Sequence, residues 1–224
     1  MLDLWYINIS LVSQELYYNL LKLLPVYIQQ DILRYKFLKD QKLKLFGKLL
    51  ICKYHQEKFA KFDWSNWKND LNGKPFLIDG VFFNIAHSGD YVLVAFSDKA
   101  IGIDLEKNVK INVDVDSFLD FLHVNEKEYI LKSNLKQDAF YEVWTRKEAY
   151  LKSIGVGLKN GLNNENCLNT IIIKNNVKWL IYSLPLIENY KIAICTSLNK
   201  VNMNSFEISS IDIDEFIYNY NIIG

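Results

Sequence analysis

The spacing of apolar residues changes several times along the chain. "LWYINI" (residues 4–9) is a short apolar run that reads as a first strand. "SQELYYNLLKLLP" (13–25) has apolar residues at helical spacing and stops at Pro25, and residues 26–37 continue in a helical pattern. The longest helical pattern is "KDQKLKLFGKLLICKYHQEKF" (39–59), in which Leu45, Leu49, Cys52 and Phe59 form a stripe. Gly47 inside it lowers helix propensity and marks a place for close packing. The period then shortens. "KPFLIDGVFFNIAHSG" (74–89) sets a DG turn between apolar runs and predicts a hairpin. "DYVLVAFSDKAIGIDLEKN" (90–108) predicts a second hairpin, turning at Ser97-Asp98-Lys99. Helical spacing returns over about 113–122, 125–133 and 136–154, the last stopped by Gly155 with Gly157 close behind. Residues 168–198 and 205–213 read as strands, and "DIDEFIYNYN" (212–221) as a short acidic helix.

This order is an α+β layout rather than a strict alternation of strand and helix. Each half joins a long helix to strands, and the break falls near residues 102–112. The division is therefore 1–102 and 103–224, and the run ending in "IDLEKN" closes where the halves meet, a common place for a ligand.

Composition narrows the function classes. Lys plus Arg and Asp plus Glu both number 26, which argues against a general nucleic-acid binder. Residues 31–58 still hold eight Lys or Arg against three Asp or Glu, either a solvated helix face or a cradle for an anion. Cys52, Cys167 and Cys195 are far apart, with no CxxC pair, so neither a zinc site nor a disulfide framework is expected. The first residues lack a signal-peptide pattern, and no apolar run is long enough to span a bilayer. A cytoplasmic protein is the expectation.

The chemistry starts at Asp104 and Glu106. In a strand, residues two apart point the same way, so both carboxylates face one spot. They can be a solvated strand end, or hard oxygen ligands for Mg²⁺, which keeps few protein ligands and shares phosphate oxygens. On the helix "FYEVWTRKEAYLKSI" (140–154), Trp144, Glu148 and Lys152 recur at i, i+4 and i+8 on one face. Glu148 and Lys152 can be a surface pair. Trp144 one turn earlier indicates a covered face, where a cation for the Glu and a phosphate for the Lys would satisfy both.

Four stretches in order, "GKPFL" (73–77), "FNIAHSG" (83–89), "IGIDLEK" (101–107) and "WTRKEAYLK" (144–152), resemble the motifs of the surfactin-synthetase-activating (Sfp) type of 4′-phosphopantetheinyl transferase. The resemblance implies a monomer of two similar α+β halves related by a pseudo-twofold axis, each an antiparallel sheet packed on a long helix. CoA would lie in the cleft between them. Phosphopantetheine would pass from CoA to a serine of an apo acyl or peptidyl carrier protein, leaving 3′,5′-ADP, with no role for nucleic acid or membrane. By the same resemblance Asp104, Glu106 and Glu148 would hold Mg²⁺, or Mn²⁺, on the CoA pyrophosphate. Glu148, directly or through a metal-bound water, would take the serine proton. Lys152 and His87 would contact phosphate, Ser88 would lie beside them, and Gly73, Lys74 and Pro75 would sit near the nucleotide. Glu126 matches an acidic position on the carrier side, or else is a helix N-terminal charge. Lys147 is open to a phosphate or a structural ion pair.

The match has departures. The family often has a serine before the motif histidine, where this chain has Ala86. It also places basic residues around the second helix to grip the CoA 3′-phosphate, and here those positions hold Ile28, Asp31 and Leu43. Arg34, Lys39, Lys42, Lys44 and Lys48 are nearby substitutes, Lys44 being preferred. Two other readings use the same residues: a metal-dependent phosphodiesterase or pyrophosphatase with water as nucleophile, and a non-catalytic CoA binder.

Overall fold

The computed structural model describes residues 1–60, 62–71, 73–78, 81–108, 115–156, 164–198 and 207–213. The chain opens with β1 (Leu2–Asn8), α1 (Gln14–Lys22), α2 (Val26–Leu33) and α3 (Leu38–Phe59). Ser13 starts α1 by accepting the Leu16 N–H on its hydroxyl, and Pro25 separates α1 from α2. Five strands follow: β2 (Trp67–Asn69), β3 (Pro75–Leu77), β4 (Phe82–Ser88), β5 (Tyr91–Ser97) and β6 (Ile101–Lys107). A 3₁₀ segment (Val115–Phe121), α4 (Val124–Lys132) and α5 (Lys136–Ile154) come next. The chain then forms β7 (Ile171–Lys174), β8 (Val177–Ser183), β9 (Tyr190–Thr196) and β10 (Glu207–Ser210).

The strands build two four-stranded sheets, in the orders β10-β1-β5-β4 and β6-β9-β8-β7, and a small β2-β3 pair. Each large sheet carries one long helix, so the α+β architecture with two similar halves is what the chain adopts. Strand periodicity sorts the side chains into layers. Trp5, Ile7, Val92, Val94 and Phe96 face α3 and its Leu45, Phe46, Leu49 and Leu50. Alternate residues Leu4, Leu93 and Ala95 turn the other way and pack on Ile101, Ile103, Leu105, Ile192 and Ile194 of the second sheet. The far face of that sheet, with Ile181, Ala193 and Cys195, packs on Ala149, Tyr150 and Leu151 of α5. The sheets thus lie back to back between two helical layers.

Both expected hairpins are corrected. β5 pairs with β1 and β4, while β6 pairs with β9, so Ser97–Lys99 is a crossover between sheets. β3 pairs with β2 rather than β4; the DG turn at 79–80 lies outside the described residues. The apolar runs do form strands in both cases. Partner choice is non-local, and adjacent apolar runs do not encode it. Residues 207–210, assigned to the second half from the sequence, return to the first sheet and pair in parallel with β1. The acidic helix expected after them lies outside the described residues beyond 213, as does Gly157.

α3 departs from the expected stripe. Leu45, Leu49 and Cys52 are buried, but Phe59 is exposed, and Lys48 and Lys53 are buried with their neighbours. The middle of the helix is enclosed on several sides, so a single amphipathic stripe does not describe it. Gly47 is a packing point: a Cβ there would lie 3.1 Å from the Ile85 side chain of β4. All three cysteines are buried. Among the described residues no helix is long and apolar enough to cross a membrane.

Candidate active site

β6 sets the site. Its odd members Ile101, Ile103 and Leu105 enter the core between the sheets. Its even members Gly102, Asp104 and Glu106 therefore face α5. The two carboxylates share one face, as their spacing predicts. α5 approaches β6 very closely at Gly102. A Cβ built there would lie 2.0 Å from the Ala149 carbonyl oxygen and 2.5 Å from the Ser153 nitrogen. Only a residue without a side chain permits this approach. It brings the helix face bearing Glu148 and Lys152 over Asp104. The signal for this contact in the sequence is a glycine inside an apolar strand.

The Lys152 ammonium donates to Asp104 Oδ1 at 2.6 Å. Asp104 Oδ2 is buried without a hydrogen-bond partner among the described residues. Ser88 donates to Glu106 Oε2 at 3.0 Å, and its Oγ accepts the Lys107 N–H at 3.1 Å. Ser88 thereby pins the end of β6 to β4. Asn84, a residue not singled out from the sequence, joins the same two edges by accepting the Ile103 N–H at 2.8 Å.

Charge is crowded here. Burial raises Asp104, against the pull of Lys152. Burial and the Asp104 charge raise Glu106. Glu148 is pushed up to about 7, mainly by burial and further by Asp104 and Glu106, with Lys152 opposing. Tyr141, two turns before Glu148, is raised by burial and then by Glu106, which places it on this edge of the site. His87 lies at the positive side. Burial, Lys44 and Lys152 hold it down to about 4, so it is neutral near pH 7.

A cleft of about 210 Å³ adjoins these groups, lined among others by Lys44, Lys48, Gly73, Pro75, Asn84 and His87. Of the basic residues considered for an anion, these two lysines reach it. Lys48 pairs with Asp31 at 3.1 Å and lies 4.3 Å from the centre of the Trp67 ring. Lys44 lies over Tyr35. Lys39 is taken by Asp90 at 2.8 Å, Lys42 donates to the Val12 carbonyl, and Arg34 pairs with Asp31. Ile28 and Leu43 are buried core residues, and Ala86 faces the core between the sheets. Lys74 does not line the cleft; its ammonium donates to the Lys152 carbonyl at 2.5 Å. It lines instead, with Pro75 and the end of α5, a larger cavity of about 380 Å³ whose walls are mostly apolar, including Phe76, Leu77, Val81 and Ile101. The charged chemistry sits at the smaller one.

Three side chains on or beside α5 are architectural. Trp144 stacks on Phe140 with ring centres 5.8 Å apart and meets Phe118 edge-on. Glu126 is fully buried: it accepts the His123 and Cys167 N–H groups and pairs with Lys147 at 2.9 Å. This answers both open readings, since Glu126 is closed off from any partner surface and Lys147 serves a structural ion pair. Removing one member leaves a buried charge alone. Lys147→Met should therefore cost about 3–5 kcal/mol of unfolding free energy in urea titration. A loss below ~1 kcal/mol would show that the pair does not hold α4 to α5.

Among the described residues no group of three His, Cys, Asp or Glu side chains is arranged to hold a metal ion by itself. The donor set instead suits an ion that shares phosphate oxygens: hard carboxylates, one buried oxygen unpartnered, and mutual repulsion that a cation would relieve.

Comparison with known proteins gives the same direction. Residues 100–197 match the model of the 4′-phosphopantetheinyl transferase superfamily, and residues 12–99 match that of the 4′-phosphopantetheinyl transferase N-terminal region. The chain is 33% identical over 197 residues to the 4′-phosphopantetheinyl transferase gsp of Aneurinibacillus migulanus, covering 84% of this chain and 81% of that protein. It is 29% identical over 175 residues to psf-1 of Bacillus pumilus, covering 73% and 74%. To Sfp of Bacillus subtilis it is 36% identical over 95 residues, covering 41% and 42%. With its carboxylates and lysines brought together on β6 and α5, and a relative matched over most of its length, this chain belongs to the 4′-phosphopantetheinyl transferase superfamily.

Proposed function

We propose that this enzyme transfers the phosphopantetheine arm of CoA to a serine of an acyl or peptidyl carrier protein and releases 3′,5′-ADP. The observation that carries the reading is the convergence of Asp104, Glu106, Glu148 and Lys152 beside a cleft that holds Lys44, Lys48 and His87. The nucleotide and its 3′-phosphate take the cleft, against Gly73 and Pro75 and toward Lys44. Asp104, Glu106 and Glu148 are the residues that would hold Mg²⁺, or Mn²⁺, and the ion would supply neutralisation of the charge that grows on the transferred phosphorus and the leaving group.

The chain's own residues do the rest. Lys152 has Asp104 as its present partner and lies within reach of a phosphate oxygen entering beside it. Neutral His87 offers a ring N–H to the same oxygens. The serine oxygen forms a bond to the pantetheine-side phosphorus as the bond to the 3′,5′-ADP oxygen breaks, and Glu148 accepts the serine proton. Ser88 holds Glu106 in place. We divide the chain just before β6, two residues ahead of the 102/103 boundary read from the sequence, into a nucleotide side and a metal side, with β10 returning to the first. The enzyme acts as a cytoplasmic monomer without nucleic acid or membrane.

The test is the intact mass of an apo acyl carrier protein, and of an apo peptidyl carrier protein, after incubation with the enzyme, CoA and Mg²⁺. A gain of one phosphopantetheine group, lost in EDTA, is expected. CoA cleaved without a carrier would establish the hydrolase instead, and intact CoA with unmodified carriers would overturn transfer to these substrates.

A further inference from the structure

Lys74 stands apart from the other cations of the site. Its backbone belongs to the β2–β3 loop, closed by Asp70 N–H to Lys74 O at 2.9 Å, Lys74 N–H to Asp70 Oδ1 at 2.8 Å and Gly73 N–H to Asp70 O at 3.0 Å. Gly73 and Pro75, on either side, line the cleft. The Lys74 side chain lines the neighbouring larger cavity, between this loop and the end of α5, and its ammonium meets the Lys152 carbonyl at 2.5 Å.

That carbonyl is among the last four of the helix, which have no donor from within it as a rule. Gly155 takes the left-handed conformation that ends α5, and its N–H goes to the Leu151 carbonyl. The Val156 N–H, the natural partner of the Lys152 carbonyl, also turns to Leu151, at 3.3 Å. The Lys152 carbonyl is left to a side chain, and a cation there also complements the negative end of the helix. The capped residue is Lys152 itself, and Glu148 lies one turn earlier.

We infer that Lys74 is a positioning residue that ties the nucleotide cleft to the last turn of α5, so that a ligand seated against Gly73 and Pro75 sets the place of Lys152. The inference rests on the transferase reading for its kinetic consequence but not for its structural one. A lysine that grips the nucleotide directly and a lysine that caps the helix differ in what they change. The first sets ligand affinity; the second sets turnover at unchanged affinity.

The experiment compares wild type, Lys74→Met and Lys74→Arg in two arms. In steady-state transfer, Lys74→Met lowers kcat about ten- to a hundredfold, the range for misplacing a reacting group, while KM for CoA stays within about twofold. Lys74→Arg, which keeps a cationic donor, restores most of kcat. In the second arm, calorimetry gives the Kd of 3′,5′-ADP, and hydrogen exchange follows the amides of residues 152–156. The ligand binds wild type and Lys74→Met alike, and slows exchange in that turn only in wild type. A tenfold weaker Kd with unchanged kcat would make Lys74 a nucleotide contact and overturn the inference. So would unchanged kcat, or exchange that ignores the ligand. If wild type binds 3′,5′-ADP and slows that turn but transfers nothing, the coupling stands and the transferase reading fails. If it binds no 3′,5′-ADP, the coupling fails too.

Discussion

Glu148→Gln loses about 10²- to 10⁴-fold in transfer rate, the range for removing a general base, and yet yields a more stable protein above neutral pH. The two effects share a cause. Glu148 is half-buried beside Asp104 and Glu106, and its carboxyl titrates near 7 rather than at the ordinary 4.5. Between those values the folded protein keeps a proton that the unfolded chain has released, so stability falls as pH rises through the window and levels off above 7. Glutamine has no charge to lose. The stability difference between variant and wild type is therefore absent below about pH 4.5 and complete above about 7. After discounting for solvent screening it is on the order of 1–2 kcal/mol, a Tm gain of about 2–8 °C. Thermal unfolding from pH 4 to 8 in EDTA measures it. A variant no more stable than wild type at pH 8 would mean that the carboxylate is not strained. Near wild-type transfer would remove it from the chemistry.

Gly102→Ala does the reverse, and harms both stability and turnover. The added methyl meets the Ala149 carbonyl oxygen at 2.0 Å and the Ser153 nitrogen at 2.5 Å. Both are backbone atoms, so no rotamer change relieves the contact and α5 must move off β6. Overpacking of this kind costs about 1–3 kcal/mol. The displaced helix carries Glu148 and Lys152 away from Asp104, now 2.6 Å from the Lys152 ammonium. Turnover should fall at least about a hundredfold. Gly47→Ala is the control, because its obstacle is the Ile85 side chain at 3.1 Å, which can give. Urea titration and transfer kinetics on both variants decide the matter. Equal losses would show that β6–α5 contact is not special.

The sequence carried much of the site. Asp104 and Glu106 on one strand face, and Glu148 and Lys152 on one helix face, follow from periods of 2 and 3.6 residues, and the structure keeps both pairings. Gly47 as a packing point was also legible. The reasons are local: a repeat fixes which side chains leave an element together, whatever that element later packs against.

What the sequence left open is what lies opposite each face. It could not send β6 to β9 rather than β5, return residues 207–210 to β1, bury Lys48 and Lys53 on α3, or close Glu126 onto Lys147. Nor could it turn Lys74 from the cleft to the end of α5. Those outcomes depend on contacts between distant segments, where burial of apolar faces and satisfaction of orphaned polar groups are settled jointly by the whole chain. Period determined the two half-sites of this protein; only the tertiary structure, through the close approach at Gly102, made them one.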